Sequence, residues 1–106
     1  MTDKRLMLTT ASSREEANTI ATELVTRRLA ACVNILGPAS SVYHWKGVIE
    51  RAEEYLLLIK TTEAHTEEIK DAIRQMHSYE VPELISVAIE AGLTPFLDWI
   101  GNSVKK

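Results

Sequence analysis

Between positions 77 and 83 the chain sets an imidazole, a hydroxyl, a phenol and two carboxylates close together, as His77-Ser78-Tyr79-Glu80-Val81-Pro82-Glu83. Such a set can ligate a cation, exchange protons or hold a polar ligand, and Pro82 forces Val81 into an extended conformation that spreads its neighbours apart. His77 is the candidate metal ligand, with Glu80 and Glu83 as its companions. An imidazole beside carboxylates would suit a divalent cation. One imidazole is too few for a structural centre, and folding is expected to need no metal. The same ring closes a predicted helix, where it can instead satisfy orphan carbonyls and suit the helix dipole. His44 and His65 are expected at the surface.

A second group of candidates comes from symmetry. Thr9-Thr10 aligns with Thr61-Thr62, Glu15-Glu16 with Glu67-Glu68, and the apolar positions Ile20, Ala21 and Leu24 with Ala72, Ile73 and Met76. Each half reads strand, helix, strand. Two such halves predict an α+β fold, the ferredoxin-like split βαβ sandwich, with one antiparallel sheet and both helices on one face. Lys60, His77 and Glu83 stand where the first half has Leu8, Val25 and Ala31, which marks them for function. In this topology strands one and three are central neighbours and strand four flanks strand one. A meeting of Lys60 with Glu83 is therefore expected across a subunit boundary, either as an interface ion pair or as a ligand site.

The elements that must carry these residues follow from pattern. Arg5 to Thr10 alternates and runs into Ser12-Ser13-Arg14-Glu15-Glu16, a capping-box start for helix one, whose stripe is Ala17, Ile20, Ala21, Leu24 and Val25. Ala30 to Ile35 reads as a buried strand bounded by Gly37-Pro38, with Cys32 a small buried hydrophobe. From Val42 alternation puts Tyr43, Trp45, Gly47 and Ile49 on one face and His44, Lys46, Val48 and Glu50 on the other. A polar turn at Arg51 to Glu54 is expected to lead back into Tyr55 to Lys60, apolar on both faces. Helix two is expected over Glu63 to Met76, strand four over Leu84 to Ile89, and a short C-terminal helix after Thr94-Pro95. A one-layer sheet with helices on one side leaves the second apolar face of Tyr55 to Ile59 uncovered, so the chain is expected to oligomerise with itself. Tyr43 and Trp45 suit either a planar ligand or a protein interface.

Composition limits the function further. The 106 residues, 45% apolar and 25% charged, predict a single domain over 1–106. A net charge of −3 with scattered basic residues argues against nucleic acid, and the central strand Lys4 to Thr10 lacks the aromatics an RNA-binding sheet would need. Apolar runs fall far short of the roughly 18 residues of a membrane span, and no apolar signal core opens the chain. The single cysteine fits a reducing compartment, and the expected location is the cytoplasm. Neither a GxSxG elbow nor a glycine-rich phosphate loop is present, and no histidine lies near Cys32 in sequence to activate it. No enzymatic role is expected.

Leu29-Ala30-Ala31-Cys32-Val33-Asn34-Ile35, then Ser41, Tyr43, Trp45 and Gly47, then Ile59-Lys60-Thr61-Thr62, then His77 and Tyr79-Glu80-Val81-Pro82-Glu83 resemble the CutA family of divalent-cation-tolerance proteins. The resemblance spans nearly the whole chain. It implies a homotrimer assembled like the nitrogen-regulatory PII proteins, with long hairpins pairing across subunits, and an association with copper and heavy-metal tolerance. It also implies a ligand cleft between subunits built from Cys32, Tyr43, Trp45, Lys60, Tyr79 and Glu83, all kept here. The family's copper binders carry cysteine in place of Thr9 and a second histidine in place of Met76, so one of three ligands, His77, remains. Ser78 replaces a usual proline and Phe96 a usual tyrosine. The expectation is a trimeric binding or signalling module that binds copper weakly and accepts a small anionic ligand or a protein partner. An assembly protein without a direct metal role is one alternative. An enzyme using Lys60 and Glu83 as acid and base is the other.

Overall fold

The computed structural model describes residues 2–106. Along the chain run β1 (Lys4–Ala11), α1 (Arg14–Thr26), β2 (Cys32–Trp45), β3 (Val48–Thr62), a 3-10 turn (Glu63–His65), α2 (Thr66–Met76), β4 (Leu84–Ala88) and α3 (Thr94–Ser103). The four strands form one antiparallel sheet in the order β2-β3-β1-β4, the ferredoxin-like arrangement that the internal repeat predicts. β1 lies between β3 and β4, so the two pseudo-repeats interlock.

Alternation decides which side of the sheet each residue serves. Met7, Thr9 and Ala11 of β1 and Leu57, Ile59 and Thr61 of β3 are fully buried against Ile20 and Leu24 of α1 and Ile69 and Ile73 of α2. Burying each aliphatic side chain is worth about 1.5 to 3 kcal/mol, and these residues supply most of the core. The two buried threonines keep their hydroxyls satisfied: Thr61 Oγ1 donates to the Leu29 carbonyl and Thr9 Oγ1 to the Glu83 carbonyl, each at 2.6 Å. α1 opens with Ser13 as its cap, accepting the Glu16 N–H at 3.0 Å, while Glu16 reaches back to the Ser12 N–H.

The opposite side carries Leu6, Leu8, Leu56 and Leu58 in register with Val87, Ile85 and Leu36, and it has no helix layer over most of its area. Leu36, Ile85 and Val87 are exposed on it. α3 touches β1 and β3 at one corner, where Ile100 and Val104 pack on Ala31 and Gly101 abuts the Lys4 side chain.

Several expectations are corrected. β2 does not stop at Gly37-Pro38; it continues to Trp45, with a register shift between Leu36 and Ala39. The reversal is at Lys46-Gly47, both at positive φ (52° and 82°), as a two-residue hairpin turn demands, and not at Arg51 to Glu54. That polar run is strand where the hairpin projects beyond the end of β1, with Arg51 and Glu53 exposed on one side and Ala52 half-buried and Glu54 buried on the other. Tyr43 therefore pairs with Glu50 and His44 with Ile49, so Ile49 shares the side of His44 and not that of Tyr43. His65 is buried, its Nδ1 bonded to Thr62 Oγ1 at 2.8 Å, whereas His44 is exposed as expected. Cys32 is only half-buried.

Candidate functional site

Beyond Ala11 the sheet loses β1, and the β2–β3 hairpin faces the α2–β4 loop across the gap. That loop is fixed from three sides. His77 caps α2, its Nε2 lies 2.5 Å from the Thr10 carbonyl, and its Nδ1 accepts the Tyr79 N–H at 3.0 Å. A nitrogen that accepts cannot carry the proton, so this pattern assigns the proton to Nε2, which donates to Thr10. Glu16 binds the next residue, accepting from the Ser78 N–H at 2.8 Å and from the Ser12 N–H and hydroxyl at 2.9 and 3.0 Å. Partial burial pushes its carboxyl up, but the hydrogen bonds from Ser12 and Ser78 outweigh this and bring its pKa down to about 2. The third tie is Tyr79, whose phenol donates to Glu54 Oε2 at 2.8 Å and whose ring lies 4.8 Å from that of His77. Burial first, then the Glu54 hydrogen bond and charge, push the phenol well above its usual range.

Between hairpin and loop lies an open cleft of about 660 Å³, lined by Tyr43, Trp45, Tyr79, Glu54, Glu80 and Glu83 together with Thr10, Ser41, Ser78 and two valines. Ser41 pairs with Ala52, and Ala52 and Glu54 share the side of Leu56, so the cleft opens on the sheet face turned away from α1 and α2.

Of the six residues expected to share a cleft between subunits, four already line this cavity within one protomer: Tyr43, Trp45, Tyr79 and Glu83. Cys32 and Lys60 do not. They are ladder partners of one another at the far end of the sheet, and the Lys60 ammonium is bonded to Asn34 Oδ1. Lys60 pairs with Leu6 while Glu83 is bonded by Thr9, three residues further along β1, or about 10 Å at strand spacing. The cation on which an anionic ligand would rely is thus absent from the protomer's cleft among the described residues.

The donor set does not fit a metal centre. Both nitrogens of His77 are engaged inside the protomer, its side chain is fully buried, and no group of three or more His, Cys, Asp or Glu side chains is placed to hold an ion among the described residues. Two residues of the site escape sequence reasoning. Glu54 is hidden in a run that reads as a turn, and only the ladder that pairs it with Ala39 reveals its place. Glu16 carries a capping signal, but its bond to Ser78, far along the chain, leaves no mark in the sequence.

The comparisons with known proteins agree with this architecture. The family model described as CutA1 divalent ion tolerance protein matches residues 5–103. The divalent-cation tolerance protein CutA of Archaeoglobus fulgidus is 45% identical over 96 residues, covering 91% of this chain and 93% of its own length. The solved structure of the divalent cation tolerance protein (Cut A1) from Thermus thermophilus superposes with a TM-score of 0.94 at 39% identity, covering 96% of this chain and 99% of its own. A structure of the Archaeoglobus fulgidus protein, described as periplasmic, gives 0.93 at 42% identity over 96% of this chain and 99% of its own. By fold, by sequence and by the match over almost its whole length, the chain belongs to the CutA1 family of divalent ion tolerance proteins.

Proposed function

We propose that the chain is a non-catalytic binding module, working as a homotrimer, whose part in divalent-cation tolerance runs through a ligand taken up in the hairpin–loop cleft. The observation that carries this reading is the convergence of Tyr43, Trp45 and Tyr79 with Glu54 and Glu83 around one open cavity. A thermal-shift screen of small metabolites against wild type and Trp45→Leu tests it. At least one compound should stabilise the wild type and leave the variant unmoved. A broad panel without any response favours an assembly protein, and turnover of a bound compound favours an enzyme.

The trimer is supported by the bare apolar face around Leu8, Leu58 and Ile85 and by the projecting hairpin, whose free edges invite pairing. Light scattering coupled to size exclusion should give three times the protomer mass. Leu58→Glu should break that assembly, whereas charge at Leu57 would strike the protomer's own core. Copper(II) or another divalent cation, on this reading, meets the exposed carboxylates of Glu80 and Glu83 and has no built centre. The cytoplasm suits a lone thiol. The Archaeoglobus relative is described as periplasmic, so cell fractionation is the test: recovery with periplasmic markers would overturn the cytoplasmic location.

A further inference from the structure

We infer that Arg28 is the latch of the C-terminal helix: its guanidinium caps α3 from the end of α1, and α3 with the residues through Lys105 opens as a unit apart from the core. The inference is independent of what the cleft binds. α1 ends in a Schellman motif, in which the Arg28 N–H donates to the Val25 carbonyl and the Leu29 N–H to the Leu24 carbonyl, each at 3.0 Å. Arg28 holds the left-handed position of that motif, with φ at 57°. Glycine takes this conformation freely and is the usual residue there, whereas a side chain adopts it at a cost. What the arginine adds lies at its far end. Its Nε donates to the Ser103 carbonyl at 3.2 Å and an Nη to the Asn102 carbonyl at 3.3 Å. Both carbonyls belong to the last turn of α3, where a helix leaves its acceptors without partners, and that turn has no basic side chain of its own. The Arg28 carbonyl in turn accepts the Lys105 N–H at 2.9 Å, so backbone and side chain grip the same segment.

The rest of the attachment is slight. Leu97, Ile100 and Val104 pack with Ala31 in a cluster separate from the main core, and α3 begins without a side-chain cap. A helix of ten residues does not hold its shape alone in water, so freeing its end and losing its seat go together. The Lys105 ammonium ties to Glu68 of α2 at 2.9 Å, but both side chains are exposed and the pair is weak. The seat itself lies beside two residues already singled out. Ala31 precedes Cys32 and donates its N–H to the Lys60 carbonyl at 2.8 Å, while α3 also carries Phe96 and Trp99, their rings 5.7 Å apart. The latch therefore fixes this aromatic pair against the strand ends that bear Cys32 and Lys60.

Hydrogen exchange read by mass spectrometry, on the full chain in its native assembly, tests the latch. Peptides from α3 should exchange about tenfold faster in Arg28→Gly than in wild type, while peptides from β1 and β3 keep their protection, because glycine suits the end of α1 and only the latch is lost. Arg28→Ala, which retains the backbone cost, should loosen α3 to the same degree. Glu68→Gln should change α3 by about twofold or less. Unchanged exchange of α3 in Arg28→Gly overturns the inference, since other contacts would then hold the helix. Equal acceleration of α3, β1 and β3 overturns it too, because Arg28 would then support the whole fold and α3 would not open apart. Loosening in Arg28→Gly that is absent from Arg28→Ala would trace the effect to the backbone and remove the guanidinium from the argument. An effect of Glu68→Gln as large as that of Arg28→Gly would overturn the assignment of the latch to Arg28.

Discussion

Tyr79 and Glu54 join the two walls of the cleft: the phenol of the α2–β4 loop donates at 2.8 Å to a carboxylate that the hairpin holds almost out of water. Tyr79→Phe keeps the ring and removes the donor, leaving the Glu54 carboxylate without its hydrogen bond. A loss of about 1 to 3 kcal/mol is expected in urea denaturation. The same bond sets an alkaline limit. A phenol whose pKa is raised in the folded state contributes stability that is present below its ordinary value of 10.0 and disappears as pH rises past it. Denaturation midpoints should therefore fall above about pH 10 in the wild type, and the fall should be shallower in Tyr79→Phe.

Glu16 sets the acid limit by the opposite sign. Its pKa is lowered from 4.5 to about 2, so its hydrogen bonds to Ser12 and Ser78 stabilise the fold at neutral pH and are lost as pH drops through that interval. Glu16→Gln should be less stable than wild type at pH 7 and should lose less on acidification. Thermal melts between the two pH values read this directly. Parallel pH profiles for wild type and variant would show that the carboxylate is not what holds Ser78.

His77→Ala should leave copper(II) affinity unchanged within about twofold, because both ring nitrogens already serve Thr10 and Tyr79. Calorimetric titration checks it. A marked loss of affinity would mean that the ring leaves its pocket to bind metal. Stability is a separate matter: removing a fully buried ring with two hydrogen bonds should cost about 2 to 4 kcal/mol.

Lys60→Met and Glu83→Gln should be additive in stability within about 0.5 kcal/mol, since the two side chains lie at different points along β1 and Lys60 is already bonded to Asn34. A double-mutant cycle measures this. Coupling well beyond that margin would place the pair in contact across a subunit boundary.

Much of the fold can be read from the chain because burial imposes a period. The stripes of α1 and α2, the alternation of Arg5 to Thr10 and the second apolar face of Tyr55 to Ile59 all leave that period in the residues. The hairpin eludes the pattern for the same reason. Arg51 to Glu54 projects past β1, and the residue it buries, Glu54, is charged, so the run carries no apolar period to distinguish it from a turn. At the site, Tyr43, Trp45, Tyr79 and Glu83 are conspicuous residue types and stand out in the sequence. Lys60 is just as conspicuous, but ladder register alone shows that it lies far from them within the protomer, and register between distant strands leaves no local trace. Glu54 and Glu16 matter through bonds to residues far along the chain, so nothing beside them in sequence announces it.

β1 is the first strand to be made, and it lies between β3 and β4. During synthesis the β2–β3 hairpin can close on itself as soon as Lys46-Gly47 has turned. β1 then docks on β3, but its other edge stays open until β4, the last strand, has left the ribosome. For that interval the nascent chain carries an apolar strand with an unpaired edge, Leu6, Met7 and Leu8 among its residues. Such an edge is a template for other chains. The threat of aggregation at birth should therefore centre on β1. Variants that weaken β4, such as Val87→Lys, should lower soluble yield by more than their effect on the finished protein's stability.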